Sequence, residues 1–146
     1  MTAETIAIAS DHAGFALKQV LKDRLQKDGF QPLDLGTDGP QSVDYPDFAD
    51  KLAAALKDGR ARRGVLVCGT GIGISIAANR HRHLRAALCH DTSSARLARQ
   101  HNDANVLALG ARLIGEEAAL DTLQAFLTTG FDGGERHERR VGKLGQ

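Results

Sequence analysis

The chain reads as an α/β protein: a single domain with a doubly wound, five-stranded parallel sheet (Rossmann-like), helices on both faces and a helical tail at the C-terminus. Three observations predict it. Five short apolar runs alternate with stretches of helical periodicity, which the right-handed crossover rule turns into a parallel sheet. The first of them, Thr5 to Ala9, is short and apolar, as suits a strand in the interior of a parallel sheet. Polar turns follow three of them, at Asp11-His12, Cys68-Gly69-Thr70 and His90-Asp91. Those turns lie at carboxyl ends of strands, where such sheets bind ligands, and are expected to converge on one crevice.

Thr5 to Ala9 is the first strand, and Ser10 to Gly14 the turn after it. Leu17, Val20, Leu21 and Leu25 then share a helix face, which Gly29 ends. Phe30 to Leu35 is the second strand; Pro32 cannot donate to a ladder, so this strand belongs at an edge. A loop from Gly36 to Pro46 precedes a helix marked by Phe48, Leu52, Ala55 and Leu56 and closed by Gly59. The third strand is Val65 to Cys68, with its helix from about Gly71 to Arg80. Leu84 to Cys89 is the fourth, and His90 to Ser93 cap a helix that carries Leu97 and finishes near His101-Asn102. The fifth strand, Val106 to Leu109, leads through Arg112 to a helix with Leu120, Leu123 and Leu127. Residues 131–146 form a polar, arginine-rich tail that is hard to bury.

At 146 residues, one domain spanning 1–146 can bury a real core. A net charge of +1 gives no overall electrostatic case for nucleic acid or an anionic membrane. The apolar runs are far below the ~18 residues of a membrane helix. No basic-then-apolar leader opens the chain, and a cytoplasmic location is expected. Two cysteines without C-x-x-C spacing argue against a disulfide framework or a zinc site.

The chemistry centres on Cys68-Gly69-Thr70-Gly71-Ile72-Gly73. A strand that runs through a glycine-rich turn into a helix aims several backbone N–H groups, and the helix dipole, at one spot. The spacing is neither the dinucleotide fingerprint nor a Walker loop. Anion binding by the backbone is one reading; a tight turn that packs helix on strand is the other. A thiol at such a helix start is in the setting of reactive cysteines, whereas Cys89, with no glycine loop after it, reads as structural. His12 is either a substrate contact or a solvent-facing turn residue. His101 is either an acid–base group or a histidine favoured by a helix C-terminus. Arg136 and Arg140 stand one helical turn apart and either clamp a phosphate or form a solvated basic face.

Taken with Asp44-Tyr45-Pro46 and the run from Arg99 to Val106, these motifs closely resemble the type B ribose-5-phosphate isomerases, whose wider family includes the galactose-6-phosphate isomerase subunits. The likeness covers residues 5–141. It implies an aldose–ketose isomerase that acts on a sugar phosphate, without metal or organic cofactor, through a cis-enediolate. In that family the position of Cys68 resembles the base, and Thr70 and His101 match positions associated with ring opening. Gly69, Gly71 and Gly73 would stabilise the enediolate. Asp11, His12, Asp44 and Asn102 match the sugar site, and Arg112, Arg136, His137 and Arg140 the phosphate grip. The helix after the loop, Ser75 to Asn79, carries no acid that could replace Cys68. The resemblance also implies a homodimer or tetramer with sites shared between subunits, the 131–146 tail packing on a partner. The same chemistry on a tetrose, allose or galactose 6-phosphate, or a non-catalytic phosphosugar-binding module, are the alternatives.

Overall fold

The computed structural model describes residues 2–145. In chain order the elements are β1 (Thr5–Ser10), α1 (Phe15–Lys27), β2 (Gln31–Asp34), α2 (Tyr45–Lys57), β3 (Arg63–Cys68), α3 (Ile72–Asn79), β4 (Ala86–Leu88), α4 (Thr92–Asn102), β5 (Val106–Gly110), α5 (Glu116–Thr128) and α6 (Glu135–Leu144). The five strands form one sheet in the order β2-β1-β3-β5-β4, and every pairing is parallel. The expected architecture is therefore the observed one, and β2, with Pro32, is at an edge.

Alternate residues of each strand go to opposite faces. Ile6, Ile8, Val65, Val67, Leu107 and Leu109 pack under α1, α4 and α5. Ala7, Ala9, Leu66, Cys68, Val106 and Ala108 pack under α2 and α3. Every strand differs from the sequence expectation by one or two residues at one or both ends, β3 and β4 the most. β3 begins earlier, at Arg63, which pairs in register with Ile6. β4 is shorter, because the Arg85 N–H donates to the Asn105 side chain at 2.7 Å and is not available to the ladder.

The buried side of α1 holds a surprise. Leu21 and Leu25 are buried as expected, but so is Lys18, with no exposed surface. Its ammonium donates to Asp34 Oδ1 at 2.6 Å and to the Thr37 carbonyl at 2.7 Å. Lys22 donates to the other Asp34 oxygen at 2.8 Å, and the Gly36 N–H to Oδ1 at 2.9 Å. Burial pushes the Asp34 carboxyl up, but the hydrogen bonds from Lys18, Lys22 and Gly36 outweigh it and hold it below its ordinary value. This cluster pins the start of the β2–α2 connection, whose Gly36 and Thr37 exchange backbone hydrogen bonds with Ser10 at the end of β1.

Candidate active site

The strand order creates the crevice. β1 connects outward to β2, whereas β3 connects in the opposite direction to β4, so their carboxyl ends flank a topological switch point. Ser10 is paired with Val67, and the Asp11 N–H donates to the Val67 carbonyl at 3.2 Å. Asp11 thus continues β1 beside Cys68, about 5 Å away between adjacent backbones. On the other side Cys68 is paired with Gly110.

Cys68 is 4% exposed and packs in the apolar layer under α2 and α3. Its sulfur is nevertheless turned to the glycine turn, where the Gly71 N–H donates to Sγ at 3.1 Å. Gly71 takes φ +76° and caps α3, a backbone that glycine adopts without strain. The Thr70 hydroxyl accepts the Ile72 N–H at 3.1 Å. Gly73 and Ile74, next in the helix, have no intrahelical acceptor for their N–H groups. Sulfur, hydroxyl and helix start therefore share one small surface, with the positive end of the α3 dipole behind it.

Three further chains of contact converge there. The Arg112 guanidinium lies over Gly69, where an added Cβ would stand 3.4 Å from Nη1, and the Arg112 N–H donates to the Gly69 carbonyl at 2.9 Å. His12 Nδ1 accepts the Val43 N–H at 3.2 Å, which makes Nε2 the proton-bearing nitrogen and anchors the segment that presents Asp44. Asp44 opens α2 with its carboxylate unspent on the cap. Asp11 Oδ1 accepts the Gly14 N–H at 3.1 Å, so this buried carboxylate also holds the turn into α1.

The third polar turn, His90-Asp91, follows β4. β4 is the far edge strand, two strands from β3, and Asp91 is occupied in capping α4, where Oδ1 accepts the Ser94 N–H at 2.6 Å. From β4, Leu88 reaches across against Gly71. Cys89 is buried, which pushes its thiol up, in keeping with a structural role.

His101, Asn102, Arg136, His137 and Arg140 form a second group, away from the first. α4 starts at the carboxyl end of β4 and runs back along the sheet; its eleven residues cover about 16 Å, which puts His101 and Asn102 near the amino ends of the strands. Asp103, next along, bonds Arg85 just before β4. α6 packs on α4, and the His101 and His137 rings stack with centroids 4.8 Å apart at 9°. Arg136 Nη2 lies 3.5 Å from His137 Nε2. Lost hydration, then Arg136, His101 and Arg140, hold His137 below the usual histidine range, with Asp132 opposing. Such a concentration of positive charge favours an anion. No side chain of α6 is buried, as expected of the tail. One chain thus carries the two halves of the expected site at opposite ends of its sheet.

A model of the Ribose/Galactose Isomerase family matches residues 6–144. The chain belongs to that family. It is 45% identical to ribose-5-phosphate isomerase B of Escherichia coli, across 93% of this chain and 91% of that one. It is 48% identical to D-erythrulose-4-phosphate isomerase of Pectobacterium atrosepticum, across 89% and 86%. A crystal structure of a ribose 5-phosphate isomerase from Thermotoga maritima superimposes with a TM-score of 0.94 at 53% identity, covering 97% of each chain.

In this isomerase the packing adds Tyr45, which the sequence offers only within Asp44-Tyr45-Pro46. A Cβ on Gly73 would stand 2.6 Å from its ring, so Tyr45 closes over the first turn of α3. Its spacing directly after Asp44 was the available signal. The geometry also makes Gly110 a support of the loop: a Cβ there would stand 2.4 Å from the Thr70 carbonyl oxygen. Gly110→Ala is expected to displace Thr70, to lower Tm by roughly 3–10 °C and to cut turnover roughly ten- to a hundredfold. Unchanged melting and turnover would show that the loop yields freely. Among the described residues no helix is long and apolar enough to cross a membrane.

Proposed function

We propose that this family member interconverts ribose 5-phosphate and ribulose 5-phosphate through a cis-enediolate, with Cys68 as the base. The observation that carries the reading is the Cys68 sulfur held at an amide-lined glycine turn on the switch-point crevice. The Cys68 thiolate removes the proton from C2 and returns it at C1. The N–H groups from Gly69 to Gly73 that are not spent on Cys68 Sγ and the Thr70 hydroxyl stabilise the enediolate oxygens, and losing one such donor typically costs roughly a hundred- to a thousandfold. Thr70 and His101 open the furanose ring. Asp11, His12, Asp44 and Asn102 order the hydroxyls, and Arg112, Arg136 and Arg140, with His137, hold the phosphate. Remote phosphate binding then positions the sugar for a reaction that needs only one tuned base and an oxyanion site.

The site is completed by a second copy of the chain in a homodimer or tetramer. His101 and the α6 arginines belong to the end of the sheet opposite Cys68, and a partner delivers them without rebuilding either half. The enzyme is cytoplasmic and serves pentose phosphate interconversion.

A four-carbon substrate is the second reading, favoured by the 48% identity to D-erythrulose-4-phosphate isomerase. Turnover in deuterated water across four-, five- and six-carbon aldose phosphates separates the readings. The expected result is deuterium at C2 of recovered substrate and the highest kcat/KM on ribose 5-phosphate, unchanged by EDTA. No label in any sugar would reduce the protein to a binder, and a preference for the tetrose would replace the substrate.

A further inference from the structure

We propose that Arg62, Arg63, Arg85 and Arg99, which line one cavity at the amino-terminal end of the sheet, form a second anion site that takes a small phosphorylated metabolite. The cavity measures about 550 Å³. β3 starts there at Arg63 and ends at Cys68, so it lies at the far end of that strand from the Cys68 crevice.

The charge balance at this place is one-sided. Four guanidinium groups meet two carboxylates, Glu4 and Asp103. Arg63 is engaged with both Glu4 oxygens, at 2.9 and 2.7 Å, and with the Phe126 and Leu127 carbonyls. Arg99 gives Nε to the Thr129 carbonyl and Nη1 to Asp103 and the Ala104 carbonyl, which leaves Nη2 unspent. Arg85 gives Nε to the Asp103 carbonyl and reaches Asp103 Oδ2 only at 3.5 Å, which leaves Nη1 unspent. Arg62 is exposed and, among the described residues, pairs with no carboxylate.

Two of these cations are held against the same aromatic ring. The Arg63 and Arg99 guanidinium carbons lie 6.0 and 5.9 Å from the centre of the buried Phe126 ring. The protein thus brings four guanidinium groups to one cavity, with Arg99 Nη2, Arg85 Nη1 and the whole Arg62 fork unspent, in a chain whose net charge is only +1. Phosphate oxygens match such forks in geometry and charge. An adjoining cavity shares Arg62 and Asn105 and adds Lys57, Arg82 and His83. That extension suits a ligand with an organic body or a second phosphate, and it makes Arg62 the hinge of the site.

Inorganic pyrophosphate, titrated calorimetrically at fixed ionic strength, tests the assignment. The starting protein is Arg136→Gln/Arg140→Gln, in which the tail arginines no longer compete. One saturable site per chain is expected, and adding Arg62→Gln should weaken it roughly ten- to a hundredfold. Arg62→Lys, which keeps the charge and loses the fork, should fall between. In the otherwise native enzyme, Arg62→Gln should leave sugar-phosphate turnover unchanged. Heat without saturation, heat reproduced by sodium chloride, or an affinity indifferent to Arg62→Gln would each overturn the proposal. So would a parallel loss of turnover, which would make the cavity part of the active site.

Discussion

Replacing Cys68 by alanine is expected to lower turnover by roughly a hundred- to ten-thousandfold while sugar-phosphate binding persists, as removal of an acid–base group acts on kcat. The side chain is small and its loss opens little space, but it also deprives the Gly71 N–H of its acceptor. An orphaned buried donor costs about 1–3 kcal/mol, so Cys68→Ala alone would mix a chemical with a structural effect. Cys68→Ser separates them. Its hydroxyl accepts the same N–H and keeps the glycine turn in place, yet it is a far weaker base. Both variants should be inactive, with Cys68→Ser melting close to the parent. A Cys68→Ser protein with full turnover would remove the sulfur from the mechanism. Mixing Cys68→Ala with His101→Ala extends the test to the shared site. Two inactive proteins that exchange subunits in a symmetric dimer should restore about a quarter of the sites. No recovery, with exchange verified, would mean that both groups act within one chain.

Replacing Asp34 by asparagine should destabilise the fold by about 3–5 kcal/mol, because it leaves the buried Lys18 ammonium without its carboxylate. Lys18 has no exposed side-chain surface and Asp34 keeps 22%. Urea unfolding at neutral pH measures the loss. Lys18→Met in the same background removes the stranded charge and should recover most of it. The pH dependence has a definite sign. The folded carboxyl lies below its ordinary value of 3.8, so the unfolded chain takes up the proton first. The pair's contribution is present in full above that range and is lost as pH falls through the folded value. Asp34→Asn should therefore flatten the acid limb of the stability curve. A loss below about 1 kcal/mol would make the pair ordinary surface electrostatics. The consequence for activity follows from the chain path: Asp34 anchors Gly36 and Thr37, which hold Ser10 beside Asp11.

Much of this molecule is legible in local patterns. Val65 to Cys68 is an uninterrupted apolar run, so it reads as a strand covered on both faces, and Val65, Leu66 and Val67 have no exposed surface. Pro32 lacks a donor, so its strand stands at an edge. The glycines after Cys68 announce a turn that the left-handed Gly71 then makes. Each of these is a property of a residue and its immediate neighbours, and side-chain period and backbone chemistry report such properties directly.

Lys18 is the opposite case. It stands in the row of a helix that reads as partly polar, and it is buried only because Asp34, sixteen residues on, meets it across the β1–β2 connection. No local period carries that information. Tyr45 is placed in the same way, by Gly73 on a different helix. By itself the amino-acid order determined the layered class, the edge strand, the thiol beside a glycine turn and the family. Only the tertiary structure decided that β1 and β3 flank the crevice, that β4 is carried to the far edge, and that α4 returns His101 to the opposite end of the sheet. The reason is physical: local preferences say which face a residue shows, whereas strand order is settled by how all the buried faces pack at once.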